Sequence, residues 1–280
     1  MLPIDQSLFK KLTDFRRDLH SHPELSWEEK RTSERICAFL DTLPGVTYRS
    51  GIAGYGILAE LGGNVEGRCV ALRADMDALP VGEETDLPFS SRNPGVMHAC
   101  GHDAHVTMLL GAASLLSKQA SLAAPVRLIF QPAEETGDGA KAMIQAGALD
   151  NVGMIFGGHV DRHYPTGAIV VTDGPVNASS DRFTIRIRGR GGHAARPHET
   201  VDAVVVGSLF VMAVQTIVSR EINPAPPSVV TVGRFDAGTA SNVIADQAML
   251  EGTIRAQEPE VRDSLDASIQ RIAKSIAQLH

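Results

Sequence analysis

The stretch His98-Ala99-Cys100-Gly101-His102-Asp103-Ala104-His105 sets a thiol, three imidazoles and a carboxylate side by side and runs straight into an apolar segment, Val106 to Leu116. A segment that apolar reads as a buried helix, Ala104 to Leu116, so the polar cluster forms the turn at its head. A Cys and a His two apart on such a turn can aim at one point, as a borderline-soft divalent ion such as zinc requires. The other reading is a plain helix N-terminus capped by Asp103, with the remaining polar groups satisfied by backbone.

Neighbouring segments bear on that choice. A strand from Val126 to Phe130 ends in Gln131-Pro132-Ala133-Glu134-Glu135. One carboxylate of such a pair can bind metal while the other stays free as a base; the alternative is a solvated surface pair. After a short helix, Ala140 to Gln145, the run Val152 to Phe156 reads as a buried strand and delivers Gly157-Gly158-His159. Upstream, Arg68 to Ala74 is continuous enough to be a strand buried on both faces, and Asp75-Met76-Asp77 follows it, where open α/β sheets collect ligands. Asp75 reads equally as a turn cap or a site residue, and Asp77 as an acid that orients a metal-bound imidazole. Chemistry recurring at successive chain turns favours one shared site over separately satisfied polar residues.

The N-terminal part supplies helices. Leu8, Leu12, Phe15 and Leu19 recur at helical spacing over Asp5 to His20, and Pro23 ends the pattern. A second helix is predicted from Trp27 to Leu40, with Ser26 as N-cap and Glu28 and Glu29 in its first turn. His20 and His22 flank the break, where each reads as closing the helix end or facing water, the alternative being that either reaches a site. Gly54 to Leu61 reads as a further strand. From Asp181 the pattern changes: Phe183, Ile185 and Ile187 alternate with polar residues, the period of a half-exposed strand. A helix (Val201 to Arg220), strands at Val229 to Gly233 and Ala248 to Arg255, and a helix from Pro259 to Leu279 follow. The predicted fold is α/β: a catalytic domain over residues 1–180 with a mostly parallel sheet flanked by helices, then an α+β ferredoxin-like lid or dimerisation domain over 181–280 that lacks its last strand.

Composition narrows the partners. Among 280 residues, 26 basic against 33 acidic side chains give a net charge of −7, which argues against nucleic acid or an anionic membrane. Three cysteines at irregular spacing, Cys37, Cys69 and Cys100, imply no disulfide framework. Met1 to Lys11 lacks the apolar core of a signal peptide, and no run of about 18 apolar residues stands out, so a cytoplasmic protein without membrane partners is expected.

With these residues in place, the chain resembles the hippurate hydrolase, N-acyl-amino-acid amidohydrolase and auxin-conjugate hydrolase family of dinuclear metallopeptidases. The marks are RRDLHSHPELSWEE (Arg16 to Glu29), LRADMDALP (Leu72 to Pro80), HACGHDAH (His98 to His105), QPAEE (Gln131 to Glu135), GRGGHAARPH (Gly189 to His198), SNVIAD (Ser241 to Asp246) and GTIRA (Gly252 to Ala256). The resemblance implies Cys100, His102, Glu135 and His159 as metal ligands, Glu134 as general base, and His193 as a lid histidine that reaches the partner subunit's active site in a homodimer. It implies Asn242 and Arg255 as substrate contacts, Asp77 and Asp103 as residues supporting the ligands, and two divalent ions, manganese or zinc, with cobalt or nickel as further options. The expected reaction is hydrolysis of an N-acyl (acetyl, benzoyl or similar) amino acid by a metal-activated water.

Family members are usually longer, and the expectation from that difference is a chain lacking the closing lid strand and a final histidine ligand. Two rival readings follow. One is a truncated metal-binding or dimerising remnant without turnover; the other is an amidase with Cys100 as nucleophile and His102 or His105 as base, which leaves Glu134, Glu135 and His159 without work.

Overall fold

The computed structural model describes residues 4–63 and 65–280; residues 1–3, part of the stretch read above for a leader, lie outside the described residues. The chain divides into two compact units, one ending at Thr166 and one beginning at Gly167. The division falls ahead of the expected 180/181 boundary because residues 167–180 carry neither helix nor strand.

In the first unit, α1 (Gln6–Ser21) and α2 (Lys30–Leu40) precede β1 (Thr47–Ile52), β2 (Gly56–Leu61) and β3 (Cys69–Asp75). Then come α3 (His102–Leu116), β4 (Val126–Gln131), α4 (Gly139–Gln145) and β5 (Val152–Gly157). The sheet order is β1-β2-β4-β3-β5. β4, β3 and β5 run parallel, and the antiparallel β1–β2 pair extends them at the β4 side.

Side-chain alternation along the strands builds a core on each face. Ile57, Ala59, Leu61, Leu128 and Phe130 pack with Leu8, Leu12, Phe15 and Leu19 of α1, Ile36 of α2, and Val106 and Leu110 of α3. Leu58, Ala71 and Ile129 point the other way, onto Met143 and Ala148. Each fully buried aliphatic or aromatic side chain of this kind contributes about 1.5–3 kcal/mol.

Two expectations fail here. α2 starts at Lys30, and Ser26 does not cap it; the Glu24 carboxylate accepts the Arg31 and Thr32 N–H groups at 2.9 and 2.8 Å instead. Trp27 has a φ of 70°, which breaks any helix running through it. β5 is not buried: it pairs with β3 alone, and Met154, Ile155 and Phe156 stand about half exposed.

The second unit holds β6 (Asp181–Arg188), the two-residue β7 (Gly192–His193), α5 (Ala203–Thr216), β8 (Ser228–Ala237), β9 (Val243–Ile244), β10 (Gln247–Ala256) and α6 (Pro259–Leu279). β10 lies between β6 and β8, antiparallel to both, and β7 pairs separately with β9. Phe210, Val214, Leu250, Ile254, Leu265 and Ile269 form its core. α5 with its π-helical extension to Glu221 is, contrary to the sequence expectation, long and apolar enough to cross a membrane by length and composition. Here Ala203, Phe210, Val214 and Ile217 of that segment are buried in the second core.

Candidate metal centre

The parallel core aligns three strand ends. Asp75 at the end of β3 is in register with Gln131 at the end of β4, and Arg73 with Gly157 at the end of β5. Each strand then releases a turn on the same edge of the sheet: Asp75-Met76-Asp77, Pro132 to Glu135, and Gly158-His159.

The head of α3 completes the set. Gly101 sits between Cys100 and His102 with a φ of 89°, and a Cβ there would overlap Val160 Cγ2, so only glycine allows the turn. Gly101, not Asp103, holds the N-cap position, and no side chain caps this helix. Asp103 is fully buried and its carboxylate takes His20 Nδ1 and Arg16 Nε, both at 2.8 Å. His20 also lies 3.2 Å from Glu83, so the expected structural role becomes a buried ion cluster under the α3 turn.

His102 is the centre of the arrangement. Its Nδ1 donates to the Asp77 carbonyl at 2.8 Å, with Asp77 Oδ1 at 3.3 Å, which leaves Nε2 free to accept or ligate. Asp75 Oδ2, Glu135 Oε1 and Glu134 Oε2 stand 3.6, 3.8 and 3.9 Å from that nitrogen. The ligand atoms of Cys100, His102 and Glu135 all lie within 4.8 Å of one another, and His159 Nε2 is 4.0 Å from Cys100 Sγ.

Asp77 Oδ2 accepts from Ser26 Oγ at 2.6 Å and from Glu135 N–H at 3.0 Å, tying the β3 and β4 turns together. His105 donates from Nδ1 to Asp75 at 2.6 Å and accepts the Val160 N–H on Nε2 at 3.0 Å, which steadies the residue next to His159. Both His105 nitrogens are thus engaged, so within the cluster of Asp75, His102 and His105 it is Asp75 and His105 that read as a positioning pair, leaving His102 to the cluster with Cys100 and Glu135. His98 is buried with no hydrogen-bond partner among the described residues, and burial pushes its pKa down to about 4.

The electrostatics of the cluster call for a cation. Burial, then Glu135, Glu134 and Asp75, push the Cys100 thiol up to about 12. Burial also raises Glu134, with Glu135 and Asp75 adding to it against His102. Burial lowers His159, which keeps it neutral and ready to ligate. Glu135 Oε1 is buried without a partner among the described residues. Ligands at about 2.0–2.3 Å from one tetrahedral ion sit roughly 3.5 Å apart, close to the spacings here. The donor set of thiol, imidazoles and carboxylate fits a divalent metal.

His193, Asn242 and Arg255 lie in the second unit, all exposed. His193 is on β7 opposite Val243, its Nδ1 accepting the Ala195 N–H at 3.1 Å, and the Asn242 carbonyl accepts the Ala194 N–H at 3.1 Å. Arg255 sits on β10 opposite Val229. Sequence reading missed Ser26 and Glu29, which it placed in the start of a helix; nothing in their spacing distinguished a cap from a tertiary contact.

Known proteins resemble the chain in sequence and in fold. Residues 71–279 match the model of peptidase family M20/M25/M40. The N-acetylcysteine deacetylase of Bacillus subtilis (strain 168) is 42% identical over 274 residues, spanning 98% of this chain and 72% of that protein. The N-acyl-L-amino acid amidohydrolase of Geobacillus stearothermophilus is 43% identical over 268 residues, 95% of this chain and 72% of the relative. Among solved structures, the Bacillus subtilis YXEP protein, described as a dinuclear metal binding peptidase from the M20 family, superposes with a TM-score of 0.81 at 39% identity, covering 98% of this chain and 71% of that one.

Proposed function

The chain belongs to peptidase family M20/M25/M40, and from that premise we propose that it hydrolyses the amide bond of N-acyl amino acids at a divalent metal centre, with Glu134 as general base. The observation that carries the reading is the convergence of three carboxylates and a thiol on Nε2 of His102, with an oxygen on Glu135 that is buried and unpartnered among the described residues.

Cys100, His102, Glu135 and His159 would hold the metal, two ions per subunit. When bound, divalent ions acidify water and polarise the scissile carbonyl. Glu134 has the half-buried setting of a base: its side chain is 40% exposed, and desolvation lifts its pKa above the usual carboxylate value. It takes the proton of the attacking water and returns one to the leaving amine. In the proposed homodimer, His193 of the partner subunit would donate to the carbonyl oxygen as it gains charge. Arg255 has the planar fork suited to the amino acid carboxylate, and it and Asn242 would contact that carboxylate or the lid side of the cleft.

The thiol ligand favours zinc, while the imidazoles and carboxylates also admit manganese, cobalt or nickel. A Cys100 nucleophile is disfavoured, because it would leave Glu134, Glu135 and His159, gathered around the same thiol and imidazole, without work. A homodimer formed through the second unit is supported by an exposed apolar stripe on α5, Val205, Leu209 and Met212. Net negative charge and free cysteines support a cytoplasmic setting.

The test is a panel of N-acetyl, N-benzoyl and longer N-acyl amino acids, assayed for amine release with zinc, manganese, cobalt or nickel added back after chelation. Hydrolysis that returns with metal supports the proposal. Failure of every amide under every metal, or activity untouched by chelation, contradicts it.

A further inference from the structure

Glu29 is a fully buried carboxylate that the proposed chemistry does not use. It sits at the N-cap position of α2 but makes no capping bond there; Glu24 does that work. No Lys, Arg or His pairs with it among the described residues. Its Oε1 accepts the N–H of Ala133, 104 positions along the chain, at 2.7 Å.

Ala133 is the bend on which the site turns. It is fully buried and holds a φ of 50°, a left-handed conformation that an alanine adopts only when its surroundings impose it. Its carbonyl accepts the Gly139 N–H at 3.1 Å. Two residues on, the Glu135 N–H is held by Asp77 at 3.0 Å, and Asp77 is itself braced by Ser26 at 2.6 Å. The backbone N–H groups on either side of Glu134 are thus both gripped by buried carboxylates, and the segment Ser26–Glu29 supplies or supports both grips.

We propose that Glu29 is a positioning residue: its carboxylate locks the left-handed bend at Ala133 and so sets the direction in which Glu134 and Glu135 leave the end of β4. The inference rests on the roles given to those two glutamates above. The interaction needs an acceptor at Oε1, not a charge. Glu29→Gln therefore keeps it, whereas Glu29→Met, similar in length, removes it. Groups that hold metal ligands in place are worth tenfold to a hundredfold in metal affinity or activity.

The experiment measures Co2+ affinity by titration of the chelated protein, the Co2+ ligand-field spectrum, and amide hydrogen exchange at Ala133, in wild type and both variants, with folding checked by thermal melts. The expected result is wild-type affinity and spectrum for Glu29→Gln. Glu29→Met is expected to bind Co2+ about ten- to a hundredfold more weakly, with an altered spectrum and selective loss of Ala133 protection. A folded Glu29→Met with wild-type affinity and spectrum, or a folded Glu29→Gln that loses tenfold or more, overturns the proposal. Should Glu29→Met not fold, the Ala133 amide decides in wild type: exchange only through global unfolding supports the lock, and fast local exchange refutes it. If wild type binds no Co2+, the metal reading fails, while the Ala133 exchange still decides the role of Glu29.

Discussion

Glu134 and Glu135 are adjacent in the chain but sit in different surroundings. Glu135 is 22% exposed, with one oxygen buried and unpaired among the described residues, and Glu134 is 40% exposed and lifted by desolvation. The proposed division into ligand and base rests on that asymmetry. Replacing Glu134 by Gln is expected to lower kcat by about 10²- to 10⁴-fold while metal content, read by elemental analysis, stays at the wild-type level. Glu135→Gln is expected to lose metal first. Asp75 makes a pH prediction. Burial alone would raise its pKa, but the His105 hydrogen bond, His102 and Arg73 outweigh burial and bring it to about 2 from 3.8. The unfolded chain therefore takes up this proton first on acidification. The stabilisation, about 2 kcal/mol, is complete above pH ~4 and is lost as the pH falls towards ~2. Denaturant melts of metal-free protein across that window should show the loss, and Asp75→Asn should flatten it. Cys100, His102, Glu134, Glu135 and His159 were legible in the sequence as candidates because each follows a strand end or opens a helix, and the structure brings them near one another. Ser26 and Glu29 were not, because a Ser and two acids ahead of an apolar pattern look the same whether they cap a helix or reach across the fold.

At the scale of elements, legibility followed burial on one face. α1 was readable from Leu8, Leu12, Phe15 and Leu19, and α6 begins and ends where its pattern does, at Pro259 and Leu279. β6 shows the alternating exposure that its sequence predicts. β5 misled because an apolar run does not reveal whether both of its edges and faces are covered. β1, β7 and β9 escaped because short strands without alternation carry no period. The turn into α3 is the element most sensitive to one atom. Gly101→Ala forces a left-handed alanine against Val160, so it should destabilise the protein by about 1–3 kcal/mol in urea unfolding and weaken metal binding, because Cys100 and His102 flank the bend. Wild-type stability and metal affinity in that variant would mean the turn relaxes without cost.

For the whole molecule, the proposed chemistry is divided: the candidate metal ligands lie in the first unit, and His193, Asn242 and Arg255 in the second. The proposed homodimer predicts that Leu209→Asp with Met212→Asp, on the outer face of α5, shifts the sedimentation mass towards one chain. The apolar stripe has no other assigned partner, so an unchanged mass would count against that interface. The α/β class and, in the second unit, the succession β6, α5, β8, β10, α6 could be read from the chain, whereas the way the segment Ser26–Glu29 supports the Glu134–Glu135 turn depends on contacts across some hundred residues that no local pattern encodes. The central claim, a divalent metal centre served by Glu134, is tested most directly by amine release from an N-acetyl amino acid. It is followed in wild type and Glu134→Gln before chelation, after chelation, and after metal is restored. The account predicts turnover that vanishes with the metal and returns with it in wild type, and a Glu134→Gln protein that rebinds metal but stays inactive; full activity in chelated wild type or in metal-loaded Glu134→Gln would contradict it.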